Sequence, residues 1–238
     1  YAMQREFSEA LQVSQQASEI FEAMQDARSE AAVLYRRSGI QQLMGDSAEG
    51  LRLASRCRLL FAQCGLQTSE LAAMLAEAHA TQAQHNHSAA KDMVAEIVSR
   101  AQSLGNRRAQ ASALAFSVGL HLTDPKGSNV EAALDSATAA EELLTGSASA
   151  GVVADETLLA YVLQLQAVIR LHAQVPEEAA APAHRAHILY VRGGDVLGEA
   201  EIMRLLACVE LELLHRAEAA EAEAPGAKRQ QAVSKHKA

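Results

Sequence analysis

The sequence predicts an all-α fold, an array of repeated antiparallel helix pairs, on three observations. Alanine makes up about a fifth of the 238 residues, and Gln, Glu, Leu and Arg supply much of the rest, residue types that lose least on entering a helix. Aromatic residues at 3% and four prolines argue against an aromatic-rich β protein. Identities recur 40 residues apart: Phe21 and Phe61, Glu9 and Glu49, Ser29 and Ser69, Glu30 and Glu70, Gly65 and Gly105. Small residues give a third register. Ala10, Gly50, Ala90, Ala132 and Ala179 stand where the second helix of each pair begins, and Ala17, Cys57, Ile97, Ala139 and Ala186 follow seven residues later. Helices whose axes approach to about 8 to 10 Å need small side chains at the crossing.

Along the chain, Phe7, Leu11, Val13 and Phe21 read as the apolar face of a second helix. The chain starts at Tyr1, and upstream sequence or another subunit is expected to cover that helix. A first helix follows from Ser29 to Met44, then a break at Gly45-Asp46, then a second helix from Ser47 to Gln63 that stops at Cys64-Gly65. Leu51, Ala54, Leu59 and Phe61 are the apolar positions of that helix, and Arg52, Arg56 and Arg58 between them are expected to form a solvated face. Gly65 and Gly105 suit helix ends because glycine accepts the left-handed conformation, and Ser29 and Ser69 are expected as caps. Insertions at Asp124 to Asn129 and Thr145 to Gly151 stretch the spacing without breaking the helices. Cys208, in the run LLACVELELL, is expected in the core. Arg216 to Ala224 extends a helix, Pro225-Gly226 should break it, and Lys228, Arg229, Lys235 and Lys237 belong to a flexible basic tail. The expectation is about ten helices, with residues 1–215 as the repeat array and 216–238 as extension and tail.

Composition excludes several function classes. A net charge of −8 and a pI near 5.6 disfavour a surface that neutralises phosphates, so no nucleic-acid partner is expected. Uncharged apolar runs such as Thr157 to Ile169 are shorter than the roughly 20 residues of a membrane helix, so no membrane insertion is expected. Three cysteines, an odd number without metal-ligand spacing, suit a reducing, intracellular and cytoplasmic setting. The chain lacks GxxxxGK[ST], HExxH, GxSxG and GxGxxG, so the expectation is no catalytic residues, no cofactor and no enzyme activity. His79, His85 and His87 lack a nearby acidic or cysteine ligand, and no metal is expected there; His79 should face a groove. Cys57 replaces a small residue in the register and should be a packed, inert thiol.

Gly45-Asp46 between paired helices, the pairs Glu9-Ala10, Glu49-Gly50 and Glu131-Ala132, and Gly194-Asp195 followed by Glu199-Ala200 together resemble the tetratricopeptide-repeat superfamily. The resemblance is to its longer-period members, of about 40 residues per helix pair. Leu34, Met74, Leu114 and Met203 fill the early apolar position of the first helices, and no Trp is present. The resemblance implies a right-handed superhelical solenoid whose first helices line a concave face that holds a peptide or partner helix. Carried over from Leu34, it points to Tyr35, Gly39 and Gln42 as partner-binding residues. The 40-residue offset adds Leu75, His79 and Gln82, and Arg204 follows from Met203. The function expected is a noncatalytic protein-protein interaction scaffold within a larger chain or multi-subunit assembly. The alternative is a small-molecule-sensing or enzyme-associated regulatory repeat domain.

Overall fold

The structure, a computed structural model, describes the backbone of residues 2–146 and 155–235 and the side chains of residues 6–146 and 155–219. Its helices are α1 (Ala2–Ala23), α2 (Ala27–Leu43), α3 (Ser47–Gln63), α4 (Gln67–Ala83), α5 (His87–Ser103), α6 (Arg107–Leu122), α7 (Val130–Thr145), α8 (Glu156–His172), α9 (Pro176–Gly193) and α10 (Val196–Lys235). Among the described residues there is no strand, and neighbouring helices pack in sequence. Two compact units form, Tyr1–Val152 with α1 to α7 and Val153–Ala238 with α8 to α10.

The turns explain why helices stop and restart so regularly. Gln25, Gly45, Gly65, His85 and Gly105, spaced by 20 residues, all have positive φ. At Gly45 the N–H donates to Gln42 O while the Asp46 N–H reaches back to Gln41 O, which satisfies the last carbonyls of α2. The next residue already caps the following helix: Asp26, Asp46, Asn86 and Asn106 accept from the backbone N–H groups of Ser29, Glu49, Ala89 and Ala109. Leu66 holds the same position without a capping side chain. The caps therefore lie three residues before Ser29 and Ser69, which sit inside the first turns and were expected to do the capping. Half of the 40-residue sequence period is thus one helix plus one turn.

In the first unit α2, α4 and α6 are the first helices, and α3, α5 and α7 are second helices, as is α1. α2 touches α4 and α4 touches α6, whereas no second helix packs against another among the described residues. The core between the two layers holds Leu34, Leu53, Cys57, Phe61, Leu71, Met74, Ile97, Phe116 and Leu120. Gly50 marks a close approach: the buried Ser38 hydroxyl donates to Gly50 O at 2.8 Å, and a Cβ on Gly50 would lie 2.8 Å from Gln42 Cγ. Ala90 and Ile97 are buried as the register requires, but in α7 the buried positions are Ala133, Ala137, Ala140 and Leu144, not Ala132 and Ala139. The inserted 123–129 segment, tied to α5 by the Lys91–Asp124 ion pair, lengthens the 20-residue helix spacing to 23, which places the buried face one residue beyond the expected register. Ala10 is exposed and Ala17 half-buried, so the register does not extend to the start of α1.

The arginines of α3 are not simply a solvated face. Arg56 reaches the buried Glu30 of α2 at 2.6 Å and Glu22 of α1 at 3.0 Å, and Arg58 lies 2.9 Å from the buried Glu77 of α4. Arg100 of α5 repeats the device on Glu70 of α4 at 2.8 Å. Only Arg52 behaves as expected, pairing within its own helix with Glu49.

In the second unit Leu159, Val162, Leu163 and Ile169 of α8 pack with Ala179, Ala183, Ala186 and Tyr190 of α9 and with Ile202, Leu205 and Val209 of α10. Tyr190 donates its hydroxyl to Gln164 Oε1 at 2.7 Å, and its ring covers Gly198 so closely that a Cβ there would fall 2.4 Å from it. Burial raises the Tyr190 pKa to about 12. Cys208, expected in the core, is exposed, since the buried stripe of α10 runs through 202, 205 and 209. α10 runs unbroken through Pro225 and Gly226, where a break was expected.

Candidate functional site: a groove along α2 and α4

Parallel first helices leave a groove between them in the first unit, with a volume of about 670 Å³. Tyr35, Arg36, Gly39, Gln42 and Leu43 form its α2 wall, and Ala72, Leu75, Ala76 and His79 its α4 wall. A smaller hollow of about 280 Å³ continues it from α4 to α6, sharing Tyr35, Ala72 and Leu75 and adding Thr68, Asn106, Arg108 and Ser112. Gly39 faces the open space: a Cβ there would meet no atom within 4 Å. With Tyr35 and Leu43 one turn to either side, the missing side chain leaves a notch in an otherwise bulky wall.

Two polar groups have structural work on this surface. Gln42 donates its amide to Ala76 O at 3.2 Å and to Ser38 Oγ at 3.1 Å, so it spans α2 and α4 at the base of the groove. His79 stacks on Phe116 of α6, with ring centroids 3.9 Å apart and planes tilted by 41°. The surrounding protein displaces bulk solvent from the imidazole, and this desolvation holds its pKa below the ordinary 6.5 although the ring opens onto the groove. Neutral His79 is therefore the form that fits the fold.

The direction of that shift gives a pH prediction. An unfolded chain binds the His79 proton more tightly than the folded one, so this contribution to stability is complete above about pH 6.5 and declines as the pH falls below it. His121, lowered by desolvation and by Lys91, acts with the same sign. Urea midpoints measured from pH 7.5 to 5.0 should fall less for His79→Phe than for the unaltered chain. Parallel pH profiles would show that the ring is not desolvated in solution.

Of the residues singled out in the sequence, Tyr35, Gly39, Gln42, Leu75 and His79 line one groove. Gln82 lies outside its lining and donates to Thr123 Oγ1 at 3.4 Å. Arg204 is exposed on α10 in the other unit. Its assignment took Met203 as an inward residue, but Met203 is 52% exposed and Ile202 fully buried, so the helix is turned by one position. Arg36, Leu43 and Arg108 were missed. Arg36 is next to Tyr35 and Arg108 sits near a helix start, positions that a fixed 40-residue offset from a few anchors does not reach.

Elsewhere, Cys57 is fully buried, donates to Ala54 O at 3.1 Å, and has its thiol pKa pushed up to about 12 by burial and by Glu77. It is an inert packing group. His85 forms the left-handed turn residue before α5, and His87 is the first residue of that helix. Among the described residues no group of three His, Cys, Asp or Glu side chains could hold a metal ion, and no helix is long and apolar enough to cross a membrane. Comparison with protein-family models finds none that matches this chain, and comparison with curated proteins finds no match.

Proposed function

We propose that this chain is a noncatalytic protein-protein interaction module of tetratricopeptide type, a superhelical array that holds a peptide or partner helix along its first helices. In this reading it serves as a scaffold piece of a larger chain or assembly in the cytoplasm. The observation that carries the reading is the groove lined by Tyr35, Gly39, Gln42, Leu75 and His79. Its size suits several side chains of a peptide, and its mixed apolar and polar lining is typical of a recognition surface with an apolar centre. The walls stand on helices fixed by the Arg56–Glu30, Arg58–Glu77 and Arg100–Glu70 ion pairs, so little ordering free energy is lost on binding.

Gly39→Trp tests this directly, because a Cβ at Gly39 meets no atom within 4 Å and the ring it carries would occupy the notch. A random 12-residue peptide library displayed against the intact chain should yield binders, and Gly39→Trp should lose them while keeping the helical circular dichroism. Recovery of no peptide, or equal binding by Gly39→Trp, would remove the groove from consideration.

A further inference from the structure

We infer that the occupant of this groove is an acidic peptide that drops one bulky apolar side chain into the notch over Gly39; the inference rests on the groove being a peptide site. Charge is the first argument. Neither the groove nor its continuation toward α6 is lined by any Asp or Glu, while Arg36 lines the one and Arg108 the other. That is unexpected on a chain of net charge −8, and it has a cause in the packing. The only carboxylates on α2, α4 and α6 are Glu30, Glu70 and Glu77, and all three are buried and turned onto Arg56, Arg100 and Arg58 of the second helices. The charged side chains that these three first helices leave exposed are all arginines, Arg28, Arg36, Arg107 and Arg108. A basic peptide would find no anion in the groove, whereas a carboxylate would find the guanidinium fork of Arg36.

Shape is the second argument. The notch is bounded by Tyr35 and Leu43 on α2 and by Leu75 and His79 on α4, and its floor lacks a side chain. A Leu, Phe or Tyr side chain entering there is surrounded on several sides, which gives the apolar anchor that interfaces concentrate their energy on. Arg36 lies within the same wall, so an acidic residue beside the anchor meets it.

The test uses the peptides selected on the intact chain, labelled and titrated by fluorescence anisotropy at 50 and 200 mM salt. The selected pool should be enriched in Asp and Glu around a single Leu, Phe or Tyr, and affinity should fall at the higher salt. Arg36→Glu should weaken binding by about tenfold or more, and Arg36→Lys by much less. Arg36 is exposed, so neither change should alter the melting temperature. Binders that are lost in Gly39→Trp but are basic or uncharged, or that ignore Arg36→Glu, would overturn the acidic assignment and leave the peptide groove standing. Binders that ignore Gly39→Trp would overturn both. A labelled single-stranded oligonucleotide that outcompetes the selected peptides would also overturn the assignment, in favour of a phosphate ligand.

Discussion

Gly50→Leu should lower the stability of the first unit by about 1 to 3 kcal/mol, read as a shift of the urea midpoint. The new side chain would start 2.8 Å from Gln42 Cγ and 3.5 Å from Ser38 O, at a crossing where Ser38 already donates to Gly50 O. Relief requires α2 and α3 to separate or Gln42 to swing away. If Gln42 moves, its bond to Ala76 O is lost, and the α2 and α4 walls of the groove lose their spacer. Peptide affinity should therefore fall together with stability. An unchanged midpoint would mean that the two helices are farther apart in solution than they stand here.

Arg58→Ala is expected to cost about 3 kcal/mol, because it leaves the Glu77 carboxylate buried at 5% exposure without its cation. The guanidinium is partly solvated, so water filling the space will recover some of that loss. Adding Glu77→Gln to Arg58→Ala should restore most of the stability, since a neutral amide is far cheaper to bury than an unpaired carboxylate. Thermal melts of the two single variants and the double variant give the coupling. Additive losses would indicate that Glu77 does not depend on Arg58.

The helix-pair repeat was legible because two strong signals agree. Glycine at a turn that needs positive φ and small residues at a helix crossing both answer to backbone geometry, so Gly45, Gly65, Gly105, Gly50 and Cys57 announce their roles directly. The same reasoning fails where chemistry substitutes for glycine: Gln25, His85 and Gln174 adopt the same left-handed turn without signalling it. Register carried by counting is equally fragile. The segment before α7 adds three residues to the 20-residue helix spacing, one more than an alignment on Ala132 allows, which moves the buried face to Ala133 and Ala140; in α10 a shift of one exchanges Met203 for Ile202 and carries Arg204 out of any equivalence with Tyr35. Ion pairs between helices are harder still. Arg56 and Arg58 look like solvated residues within their own helix, and only the neighbouring Glu30 and Glu77, 26 and 19 positions away, reveal that they hold layers together. The groove's sign of charge was hidden for that reason, because the acidic residues of α2 and α4 count in the sequence but not on the surface.

Packing by neighbours alone also shapes how the chain reaches this state. Among the described residues of the first unit no helix touches another more than two places along the chain, so no contact there waits for the closure of a long loop. Low contact order of this kind belongs to fast folding, in which a hairpin such as α2 and α3 can form first and neighbours add to either side. It also grades resistance to opening. Among the described residues α1 packs on α2 and meets α3 through the Arg56–Glu22 ion pair, so it can detach without disturbing α4, whereas opening α4 must break its contacts with α2, α3, α5 and α6 at once. The helix that carries Leu75 and His79 is thereby among the last to unfold, and the groove survives excursions that the ends of the unit do not.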